Sequence, residues 1–89
     1  MAKTIFVVLD NQELHSTYSN LKKVFAFVNG LNKRYAYIPG SGADGTQINS
    51  YATLRRLMLK HTYILVDVSA TVKHPGVKGF LTIKKSVIQ

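Results

Sequence analysis

The sequence predicts a single α+β domain over residues 1–89: two helices flanked by an N-terminal and a C-terminal β-hairpin, in the order ββααββ, with a long glycine-rich loop between the helices. Three observations carry that expectation. Runs of β-branched and aromatic residues stand at both ends of the chain, each beside a turn-forming cluster. Two internal stretches instead repeat apolar residues at helical spacing behind a serine. With 89 residues, one small core is all that the chain can build.

TIFVVL (residues 4–9) is a continuous apolar run, followed by the turn formers Asp10, Asn11 and Gln12 and by the roughly alternating ELHSTY. Together they read as a hairpin. In SNLKKVFAFVNG, Ser19 can accept a bond from a free amide of the first helical turn, and Leu21, Val24, Phe25 and Val28 share one face. Gly30 can take the left-handed conformation that ends a helix, so a first helix is expected over about residues 20–29. Lys22 stands where a capping box wants Glu or Gln.

Residues 31–48, LNKRYAYIPGSGADGTQI, are the least regular part, with a short extended piece over 34–38 giving way to the glycine-rich loop. Asn49 or Ser50 then caps a second helix, which turns Leu54, Leu57 and Met58 inward and ends at His61 and Thr62. TYILVDV and KGFLTIKKSVI form the second hairpin, with the turn residues Pro75, Gly76 and Gly79 between them.

Charge is the strongest functional signal. Twelve Lys and Arg stand against the four acids Asp10, Glu13, Asp44 and Asp67, a formal +8 that attracts polyanions whatever the fold. Nucleic acid is the commonest such partner. The chain has no Cys, hence no disulfide scaffold or thiolate metal site. MAKTIFVVLD is too short for a signal-peptide core or a membrane span, so a cytoplasmic protein is expected.

GSGADG (residues 40–45) matches G-x-G-x-x-G, and Asp67 lies near the distance of a ribose-binding acid. The chain is too short for the paired βαβ units that this motif needs, so the run reads as a flexible loop and no cofactor is expected. His15, His61 and His74 fall on three separate elements without the paired spacing of metal ligands. No nucleophile-elbow context surrounds the Ser and Thr residues, and no local pair of acids suggests acid–base work, so an enzyme is not expected.

The basic residues cluster: Lys22 and Lys23 at the start of helix one, Lys33 and Arg34 after it, and Arg55, Arg56 and Lys60 on helix two. Such positions favour phosphate contacts. Tyr18, Tyr35, Tyr37 and Tyr51 are interleaved with them and can pack on a sugar or a base; the plainer reading is that they close the edges of a small core beside a solvated basic face.

STYSNLKKVFAFVNGLN and NSYATLRRLMLK, with a hairpin on either side, resemble the small helix-turn-helix DNA-binding proteins of phages and mobile elements, and are similar to nuclease-associated modular DNA-binding domains. Ser19, Asn20, Leu21, Lys22 and Lys23 match the first helix start of that pattern; Ser50, Tyr51, Thr53, Leu54 and Arg56 match the second. The resemblance implies a non-enzymatic regulator of transcription whose second helix enters the major groove of double-stranded DNA. Ser50, Tyr51, Thr53 and Arg56 would then face bases, Arg55 and Lys60 phosphate, and Lys22 and Lys23 the flanking backbone. KRYAYIPGSGADGTQ departs from the pattern, which has a tight turn there. The rival expectation is a virion or protein-interaction component, or a homodimer, paired through an exposed TIFVVL or FLTIKKSVI edge. RNA is a third partner class, but no aromatic sheet motif of the common single-strand binders is evident.

Overall fold

In the computed structural model the described residues are 3–38 and 45–88. They form β1 (Lys3–Asp10), β2 (Glu13–Tyr18), α1 (Leu21–Asn29), β3 (Asn32–Tyr37), β4 (Thr46–Gln47), α2 (Tyr51–Lys60), β5 (Tyr63–Ser69) and β6 (Phe80–Ile88). The expected ββααββ order is therefore corrected. Two strands stand between the helices, and the order is ββαββαββ. NKRYAY becomes a strand because Ala36 fits against the covered face while Tyr35 and Tyr37 alternate to the other side. TQ is held by pairing with it, Tyr35 to Gln47 and Ala36 to Thr46.

All six strands belong to one antiparallel sheet in the order β2-β1-β6-β5-β3-β4. The two expected hairpins are present, and they are welded to each other by β1 against β6, from Lys3 opposite Ile88 to Asp10 opposite Leu81. TIFVVL and FLTIKKSVI therefore lie inside the sheet with partners on both sides, so neither is the free edge expected of it. The outer strands are β2 and the two-residue β4.

Both helices lie on one face and bury Phe6 and Val8 of β1, Ile64, Val66 and Val68 of β5, and Leu81 and Ile83 of β6. From α2 come Leu54 and Met58, with Leu57 half-buried, as the spacing predicts. From α1 the buried residues are Val24, Phe27 and Val28, while Leu21 and Phe25 are half-buried. Phe27 was not among the expected core positions. It is enclosed from outside its helix by His15 and His74, with ring centroids at 4.9 and 4.8 Å, and by Tyr18 at 6.3 Å.

Asn20, not Ser19, caps α1, its Oδ1 accepting from the Lys23 amide at 2.9 Å, so Lys23 occupies the capping-box position. Ser50 caps α2 and His61 ends it. Gly30 ends α1 without left-handed backbone, at φ −82°, and its small size matters instead: an added Cβ would sit 3.2 Å from the His74 ring. Asp10, the buried acid at the end of β1, accepts from the Lys78 amide at 2.9 Å and ties down the segment before β6.

The first hairpin turns through Asn11 and Gln12, both left-handed at φ 52° and 70°, the signs a two-residue type I′ turn requires. Asn accepts this conformation readily, whereas a left-handed Gln is strained by about 1–2 kcal/mol. Gln12→Gly is expected to raise the melting temperature by several degrees, since about 1 kcal/mol corresponds to roughly 4–8 °C in a domain of this size. Unchanged or lower melting by circular dichroism would show that the turn is not under this strain.

Candidate nucleic-acid interface

Helix α1 runs from the β2 side of the sheet toward β3, since it connects strands on opposite sides of the central pair, and α2 packs beside it. Tyr51 meets Phe25 edge-on across the seam at 6.2 Å. Neither helix contains an acid. Their outward surfaces carry the exposed Lys22 and Lys23 on α1 and the exposed Arg55, Arg56 and Lys60 on α2. Five of the ten candidate residues thus share one outer layer.

The others have structural work. Ser50 Oγ accepts from the Thr53 amide at 3.3 Å and lies 3.2 Å from Thr53 Oγ1, so both hydroxyls are engaged at the cap. Tyr51 is half-buried against Phe25. Of the four residues expected to face bases, only Arg56 projects freely from the helix. Arg34 turns back to the end of α1, donating from Nη1 to Asn29 Oδ1 at 2.7 Å, where a cation offsets the negative helix pole. Lys33 is exposed at a bulge and its carbonyl accepts from Gln47 Nε2. The tight turn of a helix-turn-helix is not what joins these helices, because β3 and β4 stand between them.

Lys22 and Lys23 stand in the first turn of α1, where the backbone already presents its positive pole. Their charges oppose folding there but reinforce attraction for an anion. On α2 the balance differs: Lys60 lies in the last turn, and Lys85 of β6 donates to the Met58 carbonyl at 2.9 Å.

Among the described residues, no helix lies over the opposite sheet face. Register and alternation put Tyr35, Tyr37, Tyr63, Leu65, Asp67, Phe80, Thr82 and Lys84 on it, with Ile5, Val7 and Leu9. Tyr35, Tyr37, Tyr63 and Phe80 are between 36% and 45% exposed, far more than core aromatics. Tyr18 and Tyr51, grouped in the sequence with Tyr35 and Tyr37, face the helix side instead. Tyr63 and Phe80 escaped the sequence reading; the available signal was an aromatic at the outward phase of each strand.

GSGADG falls almost wholly outside the described residues; Gly45 alone is seen, packed so closely on Tyr37 that an added Cβ would lie 2.9 Å from its ring. Among the described residues no group of three His, Cys, Asp or Glu is placed to hold a metal, and no helix is long and apolar enough to cross a membrane. The chain matches no protein-family model, no curated protein and no solved structure.

The opposed effects of the α1 lysines give a direct test. Lys23→Glu completes a capping box and complements the helix pole, so it is expected to raise stability by about 0.5–1 kcal/mol. The same change should weaken DNA binding. Thermal melting and duplex titration of one variant read both signs; a loss of stability would refute the pole argument, and unaltered binding would remove α1 from the interface.

Proposed function

We propose that this protein is a non-enzymatic DNA-binding domain whose helix layer lies against the phosphate backbone of double-stranded DNA. The observation that carries the reading is the layer itself: Lys22, Lys23, Arg55, Arg56 and Lys60 are exposed on two adjacent helices that contain no acid. A surface of one sign on a chain of formal charge +8 attracts a polyanion at long range and holds it by releasing counterions.

Backbone contact is the principal mode. Phosphate contacts set position without reading sequence, and base recognition needs side chains free to enter a groove. With the Ser50 and Thr53 hydroxyls held at the cap and Tyr51 packed on Phe25, α2 offers cations and little else. Binding is therefore expected to discriminate weakly among sequences, which suits a packaging or architectural role better than an operator-reading regulator. Such work belongs in the cytoplasm, that of the host for a phage-encoded chain.

The reading is tested by salt and by Arg56. The logarithm of affinity for a duplex should fall linearly with the logarithm of salt concentration, with a slope of roughly −0.9 for each phosphate neutralised. Arg56→Ala should reduce that slope by about one and weaken G-rich and A·T-rich duplexes by the same factor. Stability should change by about 0.5 kcal/mol or less, as for an exposed substitution. A salt-independent affinity would sink the proposal; a loss confined to one duplex would restore base reading to α2.

A further inference from the structure

We infer that the sheet face opposite the helices is a second site, one that takes single-stranded nucleic acid by stacking bases on Tyr35, Tyr37, Tyr63 and Phe80. It is separate from the helix layer, being the other side of the same sheet. The four rings come from β3, β5 and β6, and the register brings them together: Tyr35 is opposite Asp67 and Asp67 opposite Phe80, while Tyr37 is opposite Leu65, two residues beyond Tyr63.

Strand spacing puts Tyr35 and Tyr37 roughly 7 Å apart along β3, and Tyr63 one strand over, roughly 8 Å from Tyr37 on the diagonal. Separate rings can therefore hold separate bases. Tyr35, Tyr63 and Phe80 are exposed enough to offer their faces, and Tyr37, with Gly45 packed against one part of its ring, offers what remains; each is rooted in a strand with neighbours on both sides. Such rigid aromatic platforms stack any base, because every base has a π-face.

Charge selects this occupant. Lys84 is opposite Tyr63, Lys3 lies at the same phase of β1, and Lys33 lines one shallow depression with Asp67 and Phe80. Lysines around an aromatic platform meet phosphates while the rings meet bases. A second copy of the chain, itself of formal charge +8, would instead bring up a surface of like overall charge. Among the described residues Asp67 is the one acid on this face, set between Tyr35 and Phe80. It repels phosphate from the middle of the platform and leaves an acceptor for a base amino group.

The test uses the full chain and fluorescence anisotropy with a labelled twelve-nucleotide oligo(dT), an oligo(U) of equal length and a blunt duplex. Tyr35→Ala and Tyr63→Ala should each lower affinity for the single strands about five- to hundred-fold, the range for loss of one stacked base, and leave duplex affinity unchanged. Tyr35→Phe should retain binding, since the ring and not the hydroxyl carries it. Lys23→Glu should do the reverse, weakening the duplex more than the single strands. The ratio of oligo(dT) to oligo(U) affinity identifies DNA or RNA as the preferred strand.

Single-strand affinity unchanged in both alanine variants, with native melting, would overturn the inference while leaving the helix-layer proposal standing. Sedimentation showing a dimer that Tyr63→Ala dissociates would also overturn it, by assigning the face to self-association. Should an alanine variant fail to fold, Tyr35→Lys and Tyr63→Lys serve instead: they keep an exposed long side chain and add charge, so weaker single-strand binding despite that charge supports stacking, and tighter binding refutes it.

Discussion

The pairing of β1 with β6 is the contact on which the rest of this fold depends. It joins residues from opposite ends of the chain over the full length of β1, from Lys3 opposite Ile88 to Asp10 opposite Leu81. Without it, the first hairpin and the β5–β6 hairpin with its β3 neighbour would be two small sheets, each too narrow to cover both helices. With it, Phe6, Val8, Ile64, Val66, Leu81 and Ile83 become one apolar floor. So distant a contact closes a long loop before it is rewarded, so folding is expected to wait on it. Asp10, at one end of this seam, holds the Lys78 backbone as β6 approaches.

That seam also fixes which surfaces are available. Two helices of 9 and 10 residues cover one side of a six-stranded sheet, and among the described residues no helix covers the other. The molecule thus has two unlike faces with a shared floor between them. One is a helix layer studded with cations. The other is a pleated surface of rings and aliphatic side chains edged with lysine. A patch of that kind on so small a domain ordinarily marks a contact surface, and the sign of the surrounding charge narrows what is contacted.

The local elements were legible because local patterns specify them. The apolar run before Asp10 marks β1, Ser50 marks the start of α2, and the spacing of Leu54, Leu57 and Met58 marks its inner face. What could not be read was pairing. Nothing in FLTIKKSVI announces TIFVVL as its neighbour, so both looked like edges. β3 was obscured because NKRYAY buries only Ala36, and β4 because two polar residues carry no periodicity. The basic layer was half visible: Lys22 with Lys23, and Arg55 and Arg56 with Lys60, are clusters within one helix each, but only the packing of α2 beside α1 brings the two clusters together. The aromatic face was not, since Tyr63 and Phe80 join Tyr35 and Tyr37 only through the sheet.

Strain in β3 shows how narrowly that face is set. Leu31 and Ala36 are both buried, yet they lie an odd number of positions apart, which a regular strand cannot reconcile because alternate residues point to opposite sides. A bulge resolves the conflict: the register shifts between Lys33 and Tyr35, and Lys33 and Arg34 both take left-handed backbone, at φ 70° and 60°. Neither is glycine, so each conformation costs on the order of 1–3 kcal/mol. The Ile48 amide bonded to the Arg34 carbonyl and the Arg34 guanidinium on Asn29 hold it in place. A strand continued in phase from Leu31 would turn Tyr35 and Tyr37 into the core and Ala36 outward. The strained pair therefore reverses the strand's phase where two rings must face solvent, and a conformational cost at that position is accounted for by what it aims.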